Sequence, residues 1–254
     1  MGLTIHYSLR AAGTDAVVRK YVETLHENAC NLPFKKVGDL VDLRGKECDF
    51  NQRDQNDPLR WLLIQARESV QYNPRRPQLG SYSVTPRRVI AFTAWPGDGC
   101  EQSNIGLCEY PDWIIEGRHG KQITHLTGWS WSSFCKTQYA SNPQYGGVKN
   151  FLRSHLTVIA LLDQAKALGC LNDVNDEGGF WAQRDVEKLV REVGDMNEVI
   201  AAFGGSLKDI LGDGLKMPVA DFPNFEQLEF AGHKRLPRGI QQLARLIQVV
   251  TRKA

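Results

Sequence analysis

The chain has 254 residues, of which 42% are hydrophobic and 24% are charged, as is typical of globular proteins. Its 31 Lys and Arg residues nearly balance 29 Asp and Glu residues, so the formal charge is only +2. This balance argues against a nucleic-acid partner, because such proteins usually carry a clear basic excess. The chain contains no run of about 18 apolar residues, which excludes a membrane-spanning helix, and its first residues lack the pattern of a signal peptide. The composition therefore predicts a soluble, cytoplasmic protein without a membrane partner.

The first half of the chain alternates between strand and helix patterns. Residues 3–10 alternate between apolar and polar side chains, which predicts a half-buried strand. Thr14 is a typical helix cap, and Asp57 followed by proline begins a second helix whose apolar face extends to Val70. A second strand is expected between these two helices, at residues 37–43.

The middle of the chain predicts the centre of a sheet. Residues 71–86 contain three prolines and one glycine, which indicates an exposed loop. Residues 89–95 are almost entirely apolar, as in a strand that is buried on both faces. A turn and a return strand at 104–110 follow, and residues 123–135 have the pattern of one long strand.

The last part of the chain is mainly helical in pattern. The predicted elements are a helix at 148–168, a short strand at 170–175, a helix at 185–203 ended by Gly204-Gly205, a short helix from 206, and a closing helix at 237–252. The apolar run 158–162 predicts that the helix at 148–168 is the most buried helix in the chain.

This order of elements predicts an α+β fold, with one mixed or mostly antiparallel sheet of about five or six strands packed with helices and a mainly helical C-terminal region. We expect one domain over residues 1–254, in which residues 176–254 could form a helical lobe.

The sequence offers no known cofactor or metal motif. Nucleotide-binding glycine loops, the serine-hydrolase elbow and the zinc-protease helix are all absent. The segment from Asp173 to Gly178 resembles the start of a calcium loop, but Arg184 stands where the bidentate Glu belongs. Six cysteines occur without a C-x-x-C pair, and we expect all of them to be reduced thiols. The sequence thus predicts no metal, no cofactor and no disulfide.

Cys135 is the candidate nucleophile, because it ends a polar strand where a glycine- and asparagine-bearing loop begins. A reactive thiolate requires a neighbouring imidazole, for which His155 is the favoured partner. Lys136 and Tyr139 would donate to a developing anion if the chain bends at residue 136. The alternative is a buried, unreactive cysteine and a core histidine.

Three acidic residues are candidate acids or bases. Asp98 and Glu101 lie in the turn that follows the most apolar strand, and Glu177 lies in the acidic turn after the predicted strand at 170–175. Solvated turn residues are the alternative interpretation of all three.

Four tryptophans complete the set of candidate binding residues. Trp129 and Trp131 share one face of a strand, Trp95 ends the apolar strand, and Trp181 follows the acidic turn. Aromatic rings at strand ends often line a ligand pocket, although such rings are more often part of the core.

Together these patterns predict a polar-aromatic cleft with walls at 95–101, 129–139 and 173–181. Its ligand would be a small polar molecule or a peptide end, in a hydrolase or transferase. The competing hypothesis is a protein-interaction module without catalysis, such as an inhibitor, an immunity protein or an assembly factor. The two differ in whether the three segments converge on one concavity. The oligomeric state is left open.

Overall fold

Eleven strands and six helices are formed by the residues that the structure, a computed structural model, describes: 3–73, 75–211, 222 and 225–233. The strands are β1 (Thr4–Ala11), β2 (Lys36–Val37), β3 (Val41–Arg44), β4 (Glu68–Gln71), β5 (Ser81–Val84), β6 (Arg88–Trp95), β7 (Ser103–Glu109), β8 (Trp113–Glu116), β9 (Gly120–Ile123), β10 (Trp129–Lys136) and β11 (Leu171–Asp176). The helices are α1 (Asp15–Asn31), α2 (Leu59–Gln65), α3 (Gly147–Ala167), α4 (Phe180–Gln183), α5 (Val186–Leu211) and α6 (Phe225–His233).

Seven of the strands form one antiparallel sheet in the order β11-β1-β10-β7-β6-β2, with β3 also paired to β6. Two hairpins, β4–β5 and β8–β9, stand apart from it. The predicted α+β class and mostly antiparallel sheet are confirmed. The first strand and the apolar strand at 89–95 also share this sheet, as expected.

Burial differs across the sheet, and this difference positions the site. Residues 88–94 of β6 are all buried, so both faces of that strand are covered. In contrast, β1 and β10 alternate between buried and more accessible residues. Helices α1 and α3 pack with the inward residues of β1 in one hydrophobic core. The outward face of β1, β10 and β11 is left accessible.

The predicted long strand at 123–135 is wrong, because the chain breaks between β9 and β10. His125 has a φ of 56° in the left-handed region, which an extended strand does not permit. Burial still alternates along β10, with Trp129 and Trp131 facing inward.

Three elements in the first 86 residues also differ from their predicted bounds. The strand expected at 37–43 is interrupted between β2 and β3. The second helix ends at Gln65 rather than near residue 70, since residues 68–71 pair with β5 as β4. The predicted loop at 71–86 therefore contains a strand, β5, which pairs with β4 in a hairpin.

Helix α3 agrees with its predicted range of 148–168 to within one residue at each end. It carries nine buried side chains, the largest number for any helix among the described residues. Phe151 of α3 packs with Leu189 and Val193 of α5 in a second apolar cluster.

The C-terminal helices contain one clear error of prediction. Helix α5 continues through Gly204-Gly205 to Leu211, so the predicted end there and the separate short helix from 206 are wrong. Helix α5 packs against α6 at close range, because a Cβ added to Gly232 would lie 1.8 Å from the Glu198 carbonyl oxygen. The predicted helix at 237–252 lies outside the described residues, and the lobe at 176–254 stays a prediction. Within the described parts of the chain, no helix is both long enough and apolar enough to cross a membrane.

Candidate functional site

The accessible side of strands β1, β10 and β11 forms the candidate site, which we call the sheet-face site. It surrounds a concavity of about 330 Å³. Strand pairing sets its outward side chains in two rows, Asn175–His6–Phe134 and Asp173–Ser8–Ser132. Neighbouring strands lie about 4.8 Å apart and alternate residues about 6.7 Å apart, so both rows fit under one small molecule.

A histidine–carboxylate pair lies at one end of the site. His6 Nε2 is 3.8 Å from Glu177 Oε1, and their side chains are 49% and 41% exposed. The Thr4 amide donates a 2.9 Å hydrogen bond to Glu177 Oε2, which fixes the carboxylate. The Phe134 ring lies 5.9 Å from the imidazole, centroid to centroid. The arrangement combines a proton carrier, its carboxylate partner and an aromatic surface.

A third acid, Glu68 of β4, borders the site beside Ser132. Burial raises the pKa of the Glu68 carboxyl above its usual value, against the opposing effect of its hydrogen bond with Ser132. A carboxyl that holds its proton longer than normal suits proton donation, and such groups occur often in functional sites. A histidine therefore lies in the sheet-face site, and an acid of raised pKa lies at its border.

The three predicted wall segments meet at one end of the sheet, where backbone hydrogen bonds hold them in place. The Glu101 amide donates to the Lys136 carbonyl at 2.9 Å, and the Glu177 amide donates to the Thr4 carbonyl at 3.1 Å. The chain bends after Lys136, where Thr137 adopts a helical conformation before a short turn at 138–141. The required bend is present. Segments 129–139 and 173–181 both contribute residues to the sheet-face concavity, whereas segment 95–101 lines a separate concavity.

Cys135 is fully buried in the main core. Its thiol donates a 3.2 Å hydrogen bond to the Glu101 carbonyl. Burial raises the pKa of this thiol well above its usual value, and the nearby Cys100 and Glu101 add to the effect. The geometry thus favours an inert core thiol over a nucleophile, because thiolate formation requires access and positive charge.

We expect iodoacetamide to alkylate Cys135 at least about 100-fold more slowly than the exposed Cys30 in the folded protein, since rate follows thiolate fraction and access. Peptide mass spectrometry over time measures both rates. In urea without reductant all six cysteines should react, because none is paired in the structure. Rapid native labelling of Cys135 would restore the nucleophile hypothesis.

His155 does not serve Cys135. Its Nδ1 lies 2.9 Å from the Thr137 hydroxyl, and its Nε2 lies 3.3 Å from Asp176 Oδ1. His155 Nε2 and Asp176 Oδ1 are poorly aligned for a hydrogen bond, so the two side chains make a close electrostatic contact. All three side chains are buried. This hydroxyl–imidazole–carboxylate array resembles a catalytic triad in composition, but its burial suits a structural role.

The remaining predicted residues separate into core, surface and a different pocket. Trp129 and Trp131 are buried, and Trp131 Nε1 donates to the Asn104 carbonyl at 2.9 Å. Trp181 lies under Arg184, with 4.6 Å from the guanidinium carbon to the ring centre.

The polar candidates are accessible but not assembled. Lys136 Nζ lies 4.6 Å from the Tyr139 ring centre. Glu101 is exposed, and Asp98 forms an ion pair with Lys35. Trp95 and Asp98 line a separate concavity, away from the sheet-face site.

Sequence reasoning missed His6, Ser8, Ser132 and Phe134 as one site. The alternation in each strand did indicate which residues point outward. The pairing of β1 with β10, which brings together positions more than 120 residues apart, carries no local sequence signal.

Comparison with protein-family models, curated proteins and solved structures finds no match to this chain. Within the described residues, no group of three His, Cys, Asp or Glu side chains is placed to hold a metal ion.

Proposed function

We propose that the protein binds a small polar molecule in the sheet-face site and that His6 exchanges a proton with it. The observation that carries this proposal is the accessible concavity over three strands whose outward residues are hydrogen-bonding or aromatic. The ligand would have several hydrogen-bonding groups and one flat or apolar side.

Binding would use both kinds of surface. Ser8, Ser132 and Asp173 offer hydroxyl and carboxylate groups from three adjacent strands. Phe134 offers a half-buried ring against which the apolar side of the ligand would stack. The rigid sheet holds these groups in place, which lowers the entropy lost on binding.

The proposed chemistry is general acid–base catalysis, in a hydrolase or transferase. His6 would accept a proton from water or from a ligand hydroxyl, and Glu177 would stabilise the imidazolium that forms. Glu68, which borders the site beside Ser132, would be the second group to exchange a proton with the ligand. This scheme places the reactive group on β1 rather than at Cys135.

We expect His6→Gln and Phe134→Ala each to weaken ligand binding by about tenfold or more, because each removes a contact worth roughly 1.4 kcal/mol. A library of sugars, nucleosides and amino acids is first screened against the wild type by saturation-transfer NMR. The dissociation constant of each binder is then measured by calorimetry for all variants.

Tyr145→Ala and His119→Gln are matched controls, because both residues are exposed and lie outside the site. They should bind like the wild type. A binder that tolerates His6→Gln and Phe134→Ala would contradict the proposed site.

A second candidate function is a protein-interaction module. It is favoured by an exposed apolar face on the β8–β9 hairpin, where Trp113 is 49%, Ile115 is 68% and Ile123 is 60% exposed. Side chains of this kind occur at protein interfaces. A failure of every small molecule to bind would favour this candidate.

A further inference from the structure

Two further concavities lie at the opposite edge of the sheet from the sheet-face site, around Trp95. One measures about 550 Å³ and is lined by Lys35, Lys36, Trp95 and Asp98 among others. The other measures about 390 Å³ and shares Lys36 and Trp95 with the first. Because β2 is the last strand of the sheet, this edge faces outward.

The smaller concavity has an apolar wall. Its apolar lining residues are Val37, Val41, Pro58, Leu59, Leu62 and Trp95. Leu62 is fully buried, so this part of the wall belongs to the core, whereas Val37, Val41, Leu59 and Trp95 are partly buried. An aromatic or branched aliphatic group fits such a wall.

The two lysines at the rim differ in their contacts. Lys35 is paired with Asp98. Lys36 Nζ instead lies 5.2 Å from the Trp95 ring centre, and no described carboxylate is within ion-pair distance of it. Asp39 also lines the smaller concavity, and its side chain is exposed at the rim. An ammonium group without an ion-pair partner, on an aromatic ring next to an apolar pocket, favours a ligand with both an apolar part and an anionic group.

The geometry points to a binding site for a small amphipathic anion, an aromatic or branched carboxylate or sulfonate. Its apolar part lies between Trp95 and Leu59, and its anionic group binds Lys36. This site is independent of the sheet-face site, because the two share no lining residue.

The test uses a matched pair of probes that differ in one charge. 1-Anilinonaphthalene-8-sulfonate carries a sulfonate, and N-phenyl-1-naphthylamine is its uncharged counterpart. We expect Lys36→Gln to weaken sulfonate binding by about tenfold, in line with the loss of a charge-assisted contact. Binding of the neutral probe should change less than about twofold. Fluorescence titration measures both constants, and circular dichroism verifies folding.

Two controls locate the site. Lys46→Gln removes another exposed lysine and should leave both probes unaffected. Trp95→Leu should weaken both probes, whereas Trp113→Leu, at an exposed tryptophan outside both concavities, should weaken neither. Equal sulfonate binding by wild type and Lys36→Gln would overturn the proposal. So would equal loss of both probes in Lys36→Gln, or binding that Trp95→Leu leaves unchanged.

Discussion

Leu162→Ala is expected to lower the free energy of unfolding by about 2–5 kcal/mol. Leu162 lies in α3, is fully buried and belongs to the main core together with residues of β1 and α1. Truncation removes buried methyl groups and leaves a cavity that the surrounding sheet cannot fill, because its strands are fixed by their hydrogen bonds. Urea denaturation followed by circular dichroism measures the loss.

Val148→Ala is the matched control for this substitution. Val148 lies in the first turn of the same helix and is 40% exposed. Its truncation should cost less than about 1 kcal/mol, since surface substitutions have small effects. Similar losses for the two variants would show that α3 is not the central core helix.

The central elements were predictable because their burial leaves a local pattern. The alternation in β1 and the apolar run in β6 gave both strands to within one residue. The apolar run in α3 likewise indicated a core helix. In each case one stretch of sequence contains its own evidence of which face is buried.

The errors occurred where tertiary contacts outweigh local preference. Gly204-Gly205 favours a helix end by roughly 1 kcal/mol per glycine. Packing of α5 against α6 offsets that preference, and the helix continues to Leu211. Strands as short as β2, or hairpins such as β4–β5, are defined mainly by their partners and have too few residues for a clear period.

The site followed the same rule. Cys135 looked reactive because it ends a polar strand, but its burial depends on pairing with Ile5, which the sequence did not reveal. Conversely, His6 lay on a visibly polar strand face, and only the pairing with β10 and β11 placed Phe134 and Asn175 beside it. Distant pairing therefore decided which polar residues became a site.

The buried contact between Asp176 and His155 ties β11 to α3. Asp176 Oδ1 accepts the Gly178 amide at 2.9 Å, and Oδ2 accepts the Trp181 amide at 2.8 Å. Burial acts to raise the pKa of this carboxyl. The contact with His155 and the two amide hydrogen bonds act to lower it, and together their effect is larger. The net result is a pKa below the usual value.

Asp176→Asn should lower the free energy of unfolding by about 3–5 kcal/mol near pH 6, because it removes a buried carboxylate that accepts two backbone amides and lies against His155. The asparagine side chain has only one oxygen, so its NH₂ group would face one of the two backbone N–H groups that donate to the carboxylate. Because the folded pKa is depressed, the stabilisation is complete above the unfolded value of about 3.9 and is lost as pH falls through the folded pKa. The difference between wild type and variant should therefore be constant from about pH 6 to 5 and shrink below about pH 4.

Asp173→Asn provides the control, because Asp173 lies on the same strand with an exposed side chain. It should change stability by less than about 0.5 kcal/mol at any of these pH values. Urea denaturation of the three proteins between pH 6 and 3 gives the comparison. If Asp176→Asn matched Asp173→Asn, or if its deficit grew as the solution became more acidic, the buried carboxylate would not stabilise this junction. The expected pattern, a large deficit that shrinks in acid, would identify Asp176 as the ionised group that holds the end of β11 against α3.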